Sequence, residues 1–159
     1  MDGSVVGRGC VALMLHVISQ GRALPWAWRV REGPKGHFPE ELHIALVTLM
    51  RACLPEGAQV VLLGDGEFDG TTWQETRNEA GWRYGCRTAQ NTVATWEGEP
   101  FRRDTLGAWS KPGTRIALQE GQMTRAAYGP VMLLCWWAKG YQEPLYVVSN
   151  MDAAEEACR

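Results

Sequence analysis

The sequence predicts an α/β fold, and three patterns along the chain support that prediction. Residues 9–31 have the pattern of two strands joined by a short turn, and residues 39–54 have the spacing of an amphipathic helix. A short apolar run at residues 59–63 then precedes a further helix and a further strand. Strands that alternate with helices in this way are typical of α/β domains.

The hairpin is predicted because two β-like segments flank a tight turn. Residues 9–20 are rich in Val, Leu, Met and Ile, and residues 23–31 alternate large apolar residues with smaller or polar ones. Gly21-Arg22 provides the turn between them. Residues 32–36 contain glycine and proline, which end the pattern.

The first helix is predicted to begin at Pro39, because proline suits the first helical position and two glutamates follow it. We expect Pro55 to end this helix and His43 to lie on its polar side. Apolar residues that recur at three- and four-residue spacing predict its buried face. They are Leu42, Ala45, Leu46, Leu49, Met50 and Cys53.

Residues 59–63 predict a strand that is buried on both faces, as in a parallel pair flanked by helices. This strand ends in Gly64-Asp65-Gly66. A second helix is predicted from Thr71 or Thr72 to about residue 80, and another strand at residues 82–88.

From residue 90 the helical periodicity is lost, and short β-like runs between glycines and prolines predict an antiparallel, β-rich insertion. The runs are residues 92–96, 115–120, 131–138 and 145–149. Asp152 is then a candidate N-cap of a last helix, in which Glu155 and Glu156 are expected to be solvated. The predicted organisation is a core at residues 1–89, the insertion at 90–150 and the start of a final helix at 151–159.

Composition narrows the function classes. The 159 residues carry a formal charge of −2, so no bulk basic field indicates nucleic-acid binding. Arginine outnumbers lysine 13 to 3, which suits local phosphate contacts and follows equally well from a biased genome composition. No apolar run approaches the roughly 18 residues that a membrane span needs, so we expect no membrane partner.

The cysteines are widely spaced, form no CxxC pair and lie among apolar residues, as core cysteines do. We therefore expect neither a disulfide framework nor a zinc site, and we expect a reducing, cytoplasmic compartment. The five cysteines are Cys10, Cys53, Cys86, Cys135 and Cys158.

Asp65 is the strongest candidate for chemistry. It lies between two glycines at the carboxyl end of a predicted strand, where α/β sheets place their sites and where a large ligand can approach closely. A carboxylate at this point suits Mg²⁺ and phosphate chemistry. The same residue could instead start a turn or cap the next helix, and the residues alone leave both interpretations open.

The other polar and aromatic residues give weaker indications of function than Asp65 does. Asp2, taken alone, is typical of a frayed terminus. His16 lies inside an apolar strand as a core residue does, and His37 precedes the first helix without a visible partner. Trp136 and Trp137 are expected on opposite faces of one strand, where they either pack in a core or stack on unpaired bases.

Several motifs follow one another in a specific order. They are Asp2-Gly3-Ser4, the hairpin through Arg31, Gly36-His37-Phe38-Pro39-Glu40-Glu41, Leu62-Leu63-Gly64-Asp65-Gly66-Glu67-Phe68-Asp69-Gly70, and the run from Trp73 through Gly81-Trp82-Arg83-Tyr84 to Arg87-Thr88. In this order and spacing the chain resembles the DDE transposases of bacterial insertion sequences, over essentially its whole length. The resemblance is to the branch whose RNase H-like catalytic domain is interrupted by a β-rich insertion.

The resemblance implies a mixed sheet of strand order 3-2-1-4-5 and a reaction on DNA. Three carboxylates of such enzymes hold two Mg²⁺ or Mn²⁺ ions, which activate water and then a DNA 3′-hydroxyl for attack on a phosphodiester. By this resemblance Asp2 and Asp65 are the first two carboxylates, as catalytic residues and metal ligands, and Arg87 faces the DNA. The implied partners are double-stranded transposon ends, and a second copy of the chain or full-length transposase.

The chain departs from the family pattern at both ends. Only Met1 precedes Asp2, so we expect the first strand to be mostly missing. The Tyr-x-x-Arg-x-x-(x)-Glu segment that holds the family's third carboxylate does not occur. We therefore expect a transposase fragment that is inactive alone. The alternatives are a non-catalytic remnant that binds DNA or intact transposase, and a decayed product without function.

Overall fold

The computed structural model describes residues 1–34, 38–65, 81–124 and 126–152. The chain divides into two units, Met1–Val60 and Val61–Arg159, and each is described by itself. The fold is mixed α/β with mostly β structure. Within the described ranges, no helix has the length and apolar character that crossing a membrane requires.

Unit 1 contains a three-stranded antiparallel sheet. β1 (Asp2–Gly7) pairs with β2 (Cys10–Ser19), and β2 pairs with β3 (Arg22–Glu32), which confirms the predicted hairpin. Its two-residue turn is Gln20-Gly21, one residue before the predicted Gly21-Arg22, with positive φ angles of 50° and 73°. Two positive φ angles in succession match the twist of the flanking strands.

β1 corrects two predictions, because Asp2 is not part of a frayed terminus and a first strand of six residues is present where the sequence predicts that it is mostly missing. Asp2 is the register partner of Met14, and Ser4 is the register partner of Ala12. The strand forms although Asp, Gly and Ser have low strand propensity. Pairing with the apolar β2 therefore determines its conformation, and local preference does not.

α1 (Glu40–Cys53) follows Pro39 as predicted, but it buries a different face. Its buried side chains are His43, Leu46, Val47 and Met50. The predicted position of His43 on the polar side of the helix is wrong, because the residue is only 2% exposed. The predicted position of Leu49 on the buried face is also wrong, because the residue is 41% exposed. Apolar residues occur on more than one side of this helix, so packing on β2 and β3 selects the buried face.

Unit 2 contains a seven-stranded mixed sheet of order β4-β5-β10-β9-β8-β6-β7. β4 and β5 are parallel, and every other neighbouring pair is antiparallel. The strands are β4 (Val61–Gly64), β5 (Arg83–Arg87), β6 (Val93–Trp96), β7 (Glu99–Arg102), β8 (Thr114–Met123), β9 (Tyr128–Trp137) and β10 (Leu145–Ser149).

β4 is an edge strand of this sheet. Its parallel pairing with β5 confirms the predicted parallel pair. The predicted burial on both faces is wrong, because Val61 and Leu63 are 53% and 45% exposed while Leu62 is buried. A short apolar run predicts a strand but does not say how many of its faces are covered.

Two elements of unit 2 lie where the sequence shows no strand or helix pattern, namely β7 and the short helix α2 (Asp104–Trp109). α2 buries Leu106 against Cys135 of β9 and Tyr146 of β10. Partly buried apolar residues pack around this cluster and join α2 to the sheet. They are Phe101, Ile116 and Leu118.

The cysteines of the described ranges are free thiols, as expected. Cys86 and Cys135 are buried and Cys10 is half-buried. Cys53 is exposed, so the prediction of a core position is wrong for this residue.

Several predictions lie outside the described residues. They concern the helix from Thr71 or Thr72, the last helix with Glu155 and Glu156, and His37. The segment boundaries at residues 89 and 150 stay predictions.

Candidate functional site

The candidate site begins at the edge of the sheet where the parallel strands β4 and β5 end. Gly64, the last residue of β4, is the register partner of Cys86 in β5. Asp65 follows Gly64 and Arg87 follows Cys86, so these two residues reach the same edge. The carboxyl ends of parallel strands are where α/β sheets bind ligands.

A cavity of about 640 Å³ lies at this edge. Its size falls within the roughly 300–1,000 Å³ of ordinary ligand pockets. Asp65 and Arg87 both line it, so the structure brings together two of the predicted site residues. The other described residues of its lining are Thr88, Ala89, Gln90, Asn91, Arg102, Glu143, Pro144 and Tyr146.

Arg103 supports Thr88, one of the residues that line the cavity, from inside the protein. Its side chain is wholly buried. The guanidinium donates hydrogen bonds to Oγ1 of Thr88 at 2.5 Å and to the carbonyl oxygens of Leu134 and Val147, each at 2.7 Å. It also lies over the Tyr146 ring, 5.7 Å from the ring centroid. Charge-assisted hydrogen bonds of this kind offset the cost of burying the charge.

Backbone hydrogen bonds attach the loop after β5 to the residues before α2. The Asp104 N–H donates to the Gln90 carbonyl at 2.8 Å, and the Arg103 N–H donates to the Thr92 carbonyl at 3.1 Å. The loop that lines the cavity is therefore held at several points along its length. A site built on such a support keeps its geometry without a bound ligand.

The cavity lining carries both signs of charge. Arg87 and Arg102 supply guanidinium groups, and Asp65 and Glu143 supply carboxylates. Guanidinium groups bind phosphate oxygens in pairs of hydrogen bonds, and carboxylates bind hard divalent cations. This combination suits a phosphate that is accompanied by a divalent cation.

The residues fit Mg²⁺ only in part. Among the residues that the structure describes, no three His, Cys, Asp or Glu side chains form a group able to hold a metal ion. Mg²⁺, however, keeps several waters and is commonly held by one or two carboxylates together with substrate phosphates. Asp65 and Glu143 line the cavity and could supply such carboxylates, and the two arginines could bind the phosphate.

Two buried acidic groups near the cavity stay protonated. Burial raises the pKa of the Tyr146 phenol, and neighbouring acidic groups, Cys135 first and then Asp104, raise it further. Burial also raises the pKa of the Cys135 thiol, against the smaller effects of Ser110 and Arg103. Tyr146 can therefore serve as a hydrogen-bond donor, and Cys135 is not a thiolate nucleophile.

Asp2 belongs to unit 1 and is described there by itself. It is exposed at the start of β1, and its Oδ2 accepts a hydrogen bond from the Ser4 hydroxyl at 3.2 Å. Its role as a metal ligand stays a prediction.

Arg102 and Glu143 are cavity residues that the sequence patterns did not indicate. A signal for Arg102 is present in the sequence, because Glu97-Gly98 follows the β6 run and has the form of a hairpin turn. Both residues have positive φ, 51° and 84°, and β7 follows them as the second strand of the hairpin. Glu143 lies before β10 in a loop, where no local pattern distinguishes it.

The remaining candidates have structural surroundings. Trp136 and Trp137 are both half-buried, and the Trp137 indole N–H donates to the Tyr141 carbonyl at 2.9 Å. His16 is half-buried in β2, and the His43 ring lies 6.4 Å from that of Phe38. None of these four residues lines the cavity.

No protein-family model and no curated protein matches this chain in sequence comparison. The geometry of the cavity is therefore the basis for assigning a function.

Proposed function

We propose that this chain carries part of the catalytic core of a DDE transposase and binds DNA phosphodiesters together with Mg²⁺ or Mn²⁺. One observation carries the proposal: Asp65 and Arg87 line the same cavity, at the carboxyl ends of two parallel strands. The sequence resemblance gives these residues the roles of metal ligand and DNA contact. A cavity shared by a carboxylate and a guanidinium is what those roles require.

The finer fold assignment is part of the same proposal. β1, β2 and β3 form an antiparallel sheet, and β4 and β5 form a parallel pair. In this assignment the antiparallel group corresponds to strands 1 to 3, and the parallel pair to strands 4 and 5, of the order 3-2-1-4-5 that the resemblance implies. In this assignment β6 to β10 correspond to the β-rich insertion.

The metal ions supply Lewis acidity at the phosphodiester and activate the attacking hydroxyl when they are bound. Asp65 would provide a carboxylate oxygen for them, and for Asp2 this role is what the resemblance implies. The guanidinium of Arg87 is permanently charged and offsets the negative charge of a DNA phosphate. Double-stranded DNA is the proposed partner, with a second copy of the chain or full-length transposase as a further one.

A non-catalytic role in DNA binding is the second candidate. It is favoured by the lack of a three-ligand metal group among the described residues. The segment that carries the family's third carboxylate is also not found in these 159 residues. We therefore expect the isolated chain to bind DNA with the help of metal and not to catalyse strand transfer.

The test is duplex DNA binding followed by fluorescence anisotropy, with and without Mg²⁺. We expect binding to strengthen when Mg²⁺ is added, and Asp65→Asn to abolish that increase. Arg87→Ala is expected to weaken binding at every DNA sequence and to reduce the salt slope by about 1, as loss of one phosphate contact does.

Two matched variants serve as controls. Arg83 lies four residues before Arg87 in β5, so Arg83→Ala removes the same charge at the opposite end of the strand. Glu99→Gln removes an exposed carboxylate from β7. The proposal fails if the wild-type chain does not bind DNA in Mg²⁺, or if Arg87→Ala and Arg83→Ala have equal effects.

A further inference from the structure

Arg102 lies on the same cavity as Arg87 although the two residues come from different parts of the sheet. Arg87 ends β5, and Arg102 ends β7 at the other side of the β-rich strands. The family resemblance assigns nothing to Arg102. Two guanidinium groups on one cavity are a recurrent arrangement for holding a phosphate group.

The orientation of Arg102 is fixed by Asp104. Nη2 of Arg102 lies 2.5 Å from Oδ2 of Asp104, and the Asp104 N–H donates to the Gln90 carbonyl at 2.8 Å. Asp104 thus connects the Arg102 guanidinium to the loop that lines the cavity. A carboxylate occupies at most two of the five N–H donors of arginine, so donors remain for a ligand.

The Arg102–Asp104 ion pair contributes little to folding. The two side chains are 60% and 38% exposed. Pairs with this degree of exposure are screened by solvent and stabilise proteins only slightly. The pair holds the Arg102 guanidinium in place, and we expect substitution of Arg102 to leave the fold intact.

We propose, on the basis of the proposed function, that Arg102 and Arg87 together bind one phosphodiester of a DNA strand in this cavity. Gln90 and Asn91, which carry neutral carboxamide groups, also line this cavity. Asp65 and Glu143 on the same lining oppose a bare anion, so the phosphate binds with a divalent cation.

The experiment is an NMR titration of the full chain in Mg²⁺ with a thymidine oligonucleotide, and with thymidine 5′-monophosphate at the same phosphate concentration. The proposal predicts that the amide signals of residues 88–91 shift during the titration. It also predicts that the oligonucleotide binds more tightly than the mononucleotide. Arg102→Ala is expected to weaken binding about tenfold, as loss of charge-assisted hydrogen bonds does. Arg102→Lys keeps the charge without the paired donors. Its affinity is expected to lie between those of the wild-type chain and Arg102→Ala.

Arg115→Ala, an exposed arginine of β8, is the matched control and is expected to bind as the wild-type chain does. Wild-type affinity in Arg102→Ala overturns the assignment of Arg102. Tighter binding of the mononucleotide overturns the assignment of the ligand as a DNA backbone.

The two proposals can fail separately. Duplex binding that depends on Arg87 and not on Arg102 overturns the two-arginine site and leaves the proposed function in place. Nucleotide binding that depends on Arg102, in a chain that does not bind duplex DNA, overturns the transposase proposal and supports a phosphate site of another kind.

Discussion

The wholly buried guanidinium of Arg103 donates a hydrogen bond from Nη1 to Oγ1 of Thr88 at 2.5 Å. The same group reaches carbonyl oxygens of β9 and β10 through Nη2. One side chain, directly before α2, thus connects two strands of the sheet and the residue that follows β5. Because Thr88 directly follows Arg87, these bonds also support the base of the candidate site.

Arg103→Met is expected to lower the free energy of unfolding by about 3 kcal/mol, because it leaves buried acceptors without a donor. Arg103→Lys keeps a charge that reaches fewer acceptors, so its loss should be smaller. Denaturant unfolding followed by tryptophan fluorescence measures both. Arg115→Met at an exposed position should stay within about 0.5 kcal/mol of the wild type. Equal losses in Arg103→Met and Arg115→Met would contradict this account of the buried arginine.

The side chain of Asn150, the residue after β10, extends the hydrogen bonding between β10 and β5. Its Oδ1 accepts a hydrogen bond from the Tyr84 N–H and its Nδ2 donates to the Trp82 carbonyl, both at 2.8 Å. Asn150→Leu should therefore cost about 1–3 kcal/mol of unfolding free energy. The exposed Gln142→Leu is its control in the same denaturation experiment. A cost no larger than that of the control would show that these two bonds do not stabilise unit 2.

Gly107 is required by a close contact with Tyr146. A Cβ at position 107 would collide with the Tyr146 hydroxyl oxygen. Alanine favours a helix over glycine by about 1 kcal/mol, but overpacking costs about 1–3 kcal/mol, so Gly107→Ala should be destabilising overall. In a Tyr146→Phe background the same change should cost less, because the hydroxyl is gone. A double-mutant cycle without coupling between the two positions would refute the contact.

Stability should decrease at alkaline pH because of Cys135. Burial raises the pKa of this thiol above its ordinary value of 9.0, so the unfolded chain loses the proton before the folded chain does. This contribution is complete below the ordinary pKa and is lost as pH rises through the pKa of the folded thiol. Tyr146, whose pKa is also raised, adds a second decrease at higher pH.

The test is the pH dependence of the unfolding free energy of wild type and Cys135→Ala. The variant should be less stable at neutral pH and should lose less stability as pH rises past 9.0. Parallel curves would show that the thiol ionises equally in the folded and unfolded chains.

The sequence predicts the regular elements of this fold well where local pattern and length are sufficient. β2, β3, α1, β5, β9 and β10 all form close to their predicted places. β7 is four residues long and contains proline, and α2 is six residues long. Elements this short show no periodicity. β7 is decided by its hairpin pairing with β6, and α2 by the burial of Leu106 against β9 and β10.

The site is less predictable than the fold for the same reason. Asp65 can be selected from the sequence because it follows a predicted strand between two glycines, whereas Arg87 is indicated only by the family resemblance. Arg102 and Glu143 reach the cavity only through the pairing of β7 and through the loop before β10. No local pattern could indicate that Arg103 is buried, because charged residues are almost always exposed.

The central claim is that Asp65 and Arg87 act on one DNA phosphate in a single site. It is tested most directly by a double-mutant cycle of Asp65→Asn and Arg87→Ala on duplex DNA affinity in Mg²⁺. If both residues hold the same phosphate and its metal, the double variant should lose less affinity than the sum of the single losses, with a coupling energy above about 0.5 kcal/mol. Strictly additive losses would show that the two residues act independently and would contradict the claim.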